Sequence, residues 1–127
     1  MEQVKYITVK DLVVYQLARK LSSLAWKIYE KMDWQLKKII GDQFITATDS
    51  VGANIVEGYG RRKYKAEFIR FLIFSHSSCD ETIVHLKFIS DLYSNLKEEA
   101  DVFIERYTEL SKKIYKFIEY VENEWKV

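Results

Sequence analysis

Three groups of side chains in this 127-residue chain have the types and spacing to do chemistry. His76, Cys79 and Asp80 are spaced for adjacent helical turns, and Glu81 and His85 stand four apart, the step that puts two side chains on one helical face. Imidazole, thiolate and carboxylate at such steps are metal-ligand chemistry. The two groups nevertheless point to different sides of one helix, and neither supplies three convergent ligands, so no metal is expected. Cys79 falls on the apolar line of that helix and reads as a small buried hydrophobe. No strand-to-helix phosphate loop, nucleophile elbow or paired acid and base stands at a workable spacing, so the expected protein is not an enzyme and carries no cofactor.

The second group is the basic cluster Arg61, Arg62, Lys63 and Lys65, with Arg70 one turn beyond and Glu67 set among them. Phosphate neutralisation dominates the sequence-independent part of nucleic-acid affinity, so such a cluster suits the backbone of RNA or single-stranded DNA, and repetition in an oligomer would multiply it. The alternative is a solvated interhelical loop. Lys112, Lys113 and Lys116 of the last helix are the next candidates for the same task. The third group is polar. Gln43, Ser50, Asn54 and Glu57 fall within about 60° of one another on the edge of an apolar helical stripe, with Ser78 and Glu81 as facing partners on the next helix. Buried polar groups persist when hydrogen-bonded, which makes a cross-helix or cross-subunit network one reading and a solvated edge the other. Gly52 and Ala53 beside them would permit close helix approach.

The elements that carry these groups follow from period. With no proline and four glycines, few internal breaks are available and long helices are expected. From Asp11, the series Val14, Ala18, Leu21, Ala25, Ile28 and Met32 keeps one helical face turned to a core. A second series, Ile40, Phe44, Ala47, Val51 and Ile55, is expected to close at Gly58 and Gly60 in the left-handed conformation. The third carries Phe68, Leu72, Ser75, Cys79, Ile83, Leu86 and Ser90 and ends near residues 91–94. Asn95 and Glu98 form a capping-box pattern before the fourth, Leu96, Ala100, Phe103, Tyr107, Leu110, Ile114, Phe117 and Val121. The opening VKYITV alternates weakly, as a strand or a frayed arm. The predicted fold is all-α, one antiparallel up-and-down four-helix bundle over residues 1–127.

Two helices carry more apolar surface than one bundle needs. Tyr15, Trp26 and Tyr29 form a flank of the first, and Phe74, Phe88 and Leu92 lie opposite the core line of the third. A second copy of the chain would cover them, giving a homo-oligomer; the other reading is a wide core face. A formal net charge of +1 gives no global drive toward nucleic acid, so any such role rests on a local patch. One cysteine excludes an intramolecular disulfide framework. The lack of an export segment or a membrane-length apolar run points to the cytoplasm, with no membrane partner.

The opening KDLVVYQLARKL, Gln43 followed by SVGANIVEGYGR, and EFIRFLIFSHSSCDE together resemble the small four-helix-bundle proteins encoded in intervening sequences of bacterial 23S rRNA genes, often labelled ribosomal proteins, with accessory proteins of diversity-generating retroelements as relatives. The resemblance spans roughly Lys10 to Glu122, and SVGANIVEG is its most specific part. It implies a closed homo-oligomer, typically a ring-shaped pentamer with a central channel, and it implies no catalysis. Ile45 and Thr46 stand where relatives commonly have a basic pair, and Met32 and Asp33 where many have Phe-Pro. Nucleic-acid binding through that basic pair therefore does not carry over. The expected role is binding or scaffolding, with RNA or single-stranded DNA as partner, or with protein partners only.

Overall fold

The steps of four and three close as helices throughout. The computed structural model describes residues 8–126, within which α1 is Val13–Glu30, α2 Asp42–Gly60, α3 Lys65–Leu92 and α4 Lys97–Glu124. No strand occurs among the described residues. Residues 4–7 of the VKYITV stretch lie outside them, and its last residue, Val9, opens a 3-10 turn, Val9–Asp11. The α2–α3 and α3–α4 connections are short, residues 61–64 and 93–96, and most of the segment between α1 and α2 is itself a helical lead-in to α2, so successive helices run antiparallel. α2 and α4 each pack against both α1 and α3, as an up-and-down bundle requires, with α3 the most closely embraced. At 28 residues each, α3 and α4 are about 42 Å long.

Every residue of the predicted α1 and α2 stripes is buried, and Phe44, Phe68, Leu72, Leu86, Tyr107, Leu110 and Ile114 fill the centre. Ile83, Phe103 and Phe117 of the other two stripes are only partly buried, and Ile118, outside the expected series, is buried instead. One end of the bundle is closed by rings: Phe68 meets Trp125 at 5.1 Å, Phe117 at 6.0 Å and Tyr59 at 6.2 Å, all edge to face.

Local features correct the expectations in several places. α2 is preceded by a helical turn, Trp34–Leu36, and a π-helical turn, Lys37–Gly41. Asp33 caps this lead-in, its Oδ1 accepting from Leu36 N at 2.7 Å, so the residue standing where relatives have proline starts a helix by another route. The expected left-handed glycine closure is wrong. No described glycine has positive φ, and α2 ends at Arg61 with φ −105° and ψ 12°. Gly58 is buried inside the helix, where a Cβ would stand 3.1 Å from both the Phe68 carbonyl and Phe71 Cβ, so its role is to let α2 and α3 approach. Gly41 does the same toward Met32 and Tyr29, whereas at Gly52 a Cβ would find ordinary spacing from Ala18 at 3.8 Å. The Asn95–Glu98 capping box does not form. A 3-10 turn, Ser94–Leu96, buries Leu96 and runs straight into α4 without a side-chain cap.

Candidate functional site

The end closed by the ring cluster gathers the C-terminus of α2, the N-terminus of α3 and the C-terminus of α4, and the basic cluster lies there. Its members fall into two sets. Arg61 lies 3.9 Å from Glu57 with its guanidinium 4.8 Å from the Phe71 ring centre, and Arg70 lies 3.4 Å from Glu67 and 5.3 Å from the Phe74 ring centre. These two are matched by carboxylates of their own neighbourhood. Arg62, Lys63 and Lys65 make no salt bridge among the described residues. Arg62 is anchored instead on Tyr59, its Nη1 donating to the Tyr59 carbonyl at 3.0 Å and its guanidinium 4.2 Å from the ring centre.

Sequence reasoning missed two members of this end. α4 returns beside the α2–α3 loop and delivers Trp125 and Lys126, which with Gly60, Arg62 and Lys63 line a cavity of about 310 Å³. Among the described residues three cations and one indole surround it, and no carboxylate does. Up-and-down topology was the signal that could have found them, because it returns the end of α4 to the α2–α3 connection. Lys112, Lys113 and Lys116 lie further back along α4, exposed.

Among the described residues the polar seam makes no bond from α2 to α3. Gln43 Nε2 donates to the Ile39 carbonyl, Ser50 Oγ to Thr46 and Asn54 Nδ2 to Ser50 at 2.9 Å, each one turn back on its own helix. Glu57 pairs with Arg61, and Glu81 with His85 at 3.4 Å; the Ser78 carbonyl accepts from Thr82. Asn54 and Glu57 are expected from the sequence to bond to Ser78, Glu81 or backbone groups near the end of α2. Among the described residues Asn54 takes the Ser50 carbonyl and Glu57 takes Arg61 rather than Ser78 or Glu81, local partners of the kind a helix supplies to a side chain that folds back. Small polar residues on the core stripes make the crossings. Ser22 Oγ donates to Asp49 Oδ1 at 2.8 Å, joining α1 to α2, and Ser75 Oγ donates to the Val51 carbonyl at 2.7 Å, joining α3 to α2.

The metal-type residues are dispersed into other tasks. Cys79 is buried and donates to the Tyr107 carbonyl at 3.2 Å, and burial pushes its thiol up to about 12. His76 faces α4, with Nε2 3.0 Å from Ser111 Oγ and Nδ1 3.5 Å from Asp80 Oδ2. That serine, histidine and carboxylate stand in triad-like order. They lie on the middle turns of two 28-residue helices, where backbone amides are already committed to helix carbonyls.

Of the apolar flank, Trp26 is 41% exposed, but Tyr29 is half-buried and donates to Asp42 Oδ1 at 2.6 Å, which raises its phenol pKa and ties α1 to α2. Tyr15 and Trp26 line a groove of about 310 Å³ between these helices. On α3, Phe74, Phe88 and Leu92 are 39%, 38% and 60% exposed, an apolar side open to solvent in the single chain. No helix among the described residues is long and apolar enough to cross a membrane.

Searches of curated proteins and of solved structures gave no match. A family model described as 23S rRNA-intervening sequence protein matches residues 10–116, which include all of α1 to α3 and most of α4. The helical bundle agrees with that match, and the chain belongs to the 23S rRNA-intervening sequence protein family.

Proposed function

We propose that this chain is a non-enzymatic, cytoplasmic homo-oligomer, five subunits by family resemblance, whose basic end binds the backbone of RNA or single-stranded DNA. One observation carries the nucleic-acid reading: Arg62, Lys63, Lys65 and Lys126 gather at one end of the bundle with no salt bridge among the described residues. Cations left unmatched in this way favour a polyanion even on a chain whose net charge is +1, and repetition around an oligomer multiplies the effect. The exposed Phe74, Phe88 and Leu92 support self-association. Sedimentation at micromolar concentration tests that part: a species of 15.2 kDa refutes the oligomer, and a dimer or tetramer refutes only the number.

Binding to two unrelated single-stranded oligonucleotides across a salt series tests the partner. Flexible cations on phosphates position a strand without reading it, so both strands should bind alike. Removing two phosphate contacts with Arg62→Ala and Lys63→Ala should flatten the log–log salt slope by about 1.4 per subunit engaged. Absence of binding by the parent protein at about 50 mM salt, where phosphate contacts are strong, refutes the proposal and leaves the ring with protein partners only, the reading that the open apolar side of α3 favours.

A further inference from the structure

We infer that the cavity beside Trp125 is a nucleobase subsite, seating one nucleotide of a single strand with its base against the indole and its phosphate among Arg62, Lys63 and Lys126. The inference rests on the nucleic-acid reading above and adds to it a ligand class that loop cations alone do not imply.

The lining chemistry is the first argument. A bare phosphate or an acidic peptide would use the three cations and gain nothing from the indole; an apolar ligand would use the indole and leave the cations unmatched. A nucleotide joins a flat π-system to an anion and uses both. The volume of about 310 Å³ stands at the small end of ligand pockets, in keeping with one nucleotide rather than an extended ligand. Around the Cβ position of Gly60 there is open space within 4 Å, so backbone rather than a side chain forms that wall.

Preorganisation is the second argument. Trp125 is held by three rings, Phe68 at 5.1 Å, Tyr59 at 6.4 Å and Tyr120 at 6.4 Å, with interplanar angles of 77°, 77° and 85°. All three contacts are edge to face, so the indole is fixed in orientation while no described ring is stacked parallel to it. Arg62 is likewise fixed, by its bond to the Tyr59 carbonyl and its seat over the Tyr59 ring. A rigid aromatic wall beside a rigid guanidinium loses little freedom when a base and its phosphate dock.

The test uses tryptophan fluorescence. Trp26 and Trp34 are exposed, so Trp26→Phe with Trp34→Phe leaves Trp125 as the one tryptophan, excited selectively at wavelengths beyond tyrosine absorption, in a protein whose buried core is untouched. This protein is titrated with an oligothymidylate and with an abasic strand of equal length at the same salt. Stacking contributes about 1–3 kcal/mol per base, so the base-bearing strand should quench Trp125 and bind about 5- to 150-fold more tightly than the abasic one. Equal affinity without quenching overturns the subsite and leaves backbone binding standing; failure of both strands to bind overturns both. Trp125→Leu keeps an apolar plug on Phe68 without a ring. A Trp125→Leu protein that melts like its parent should lose the base preference, and retention of that preference also overturns the proposal.

Discussion

Two glycines two residues apart in α2 allow packing to be separated from helix propensity. Gly58→Ala and Gly60→Ala make the same change in the same helix, and neither glycine has positive φ, so the backbone conformation opposes neither. In a helix interior the change alone gains up to about 1 kcal/mol, somewhat less at Gly60, the last helical residue. At Gly60 a new methyl meets nothing within 4 Å, so the gain should survive at about 0.5 kcal/mol. At Gly58 the methyl would sit 3.1 Å from the Phe68 carbonyl oxygen and 3.1 Å from Phe71 Cβ. Both belong to the frame of α3 and cannot swing aside, so α3 must shift as a body, a repacking that costs about 1–3 kcal/mol. Net of the propensity gain at Gly58, the two variants should therefore differ by about 0.5–2.5 kcal/mol, with Gly58→Ala the less stable. At about 4 °C per kcal/mol for a domain of this size the gap in Tm is roughly 2–10 °C, read by circular dichroism at one fixed protein concentration. Equal stabilisation by both substitutions would refute the close approach of α2 and α3 at Gly58.

Ser75→Ala removes a buried bond to the Val51 carbonyl, and because that carbonyl retains its helical partner the loss should be about 0.5–1.5 kcal/mol in a denaturant melt. Asp101 accepts from Ser90 and from Lys97, which lowers its pKa below 3.8; its stabilisation is present above that unfolded value and is lost as pH falls through the folded one. Asp101→Asn should accordingly flatten the acid side of the stability–pH profile and leave the alkaline side alone. Cys79, buried with its thiol raised to about 12, should resist a thiol reagent at neutral pH in native protein and react at once in denaturant; fast native reaction would contradict its placement.

The four helices were legible because apolar residues alone define a 3.6-residue stripe, and nearly every stripe position is buried. Local closures were less so. Gly58 reads as a cap in sequence, since nothing in the letters distinguishes a glycine that turns the chain from one that admits a neighbouring helix. The π-helical turn at Lys37–Gly41 leaves no periodic mark over so few residues. The cross-helix reading of the polar seam was undecidable from spacing for a different reason. Gln43, Ser50 and Asn54 have the same helical spacing whether they reach across to α3 or fold back onto carbonyls, and they fold back. Ser22 and Ser75, which do cross, sit on core stripes where small residues pass for fillers. Trp125 and Lys126 belong to the basic end through topology, so composition within the loop did not reveal them.

Helix electrostatics sharpens the meaning of that basic end. The C-termini of α2 and α4 point there, each with partial negative charge, so Arg61, Arg62 and Lys126 stand where a cation stabilises the fold. Arg62 does so directly, donating to a carbonyl of the last turn of α2. Lys63 and Lys65 have no such account. Lys65 opens α3 and Lys63 lies two residues before it, at the positive end of a 28-residue helix, where an acid is favoured and a cation repelled. Glu67 satisfies that preference in the first turn but is paired with Arg70, leaving the two lysines unmatched. Stability alone would place acids at those positions. An anion bound between the lysines and the free amides of the first turn of α3 would reverse the penalty, and a strand of phosphates supplies one at every step.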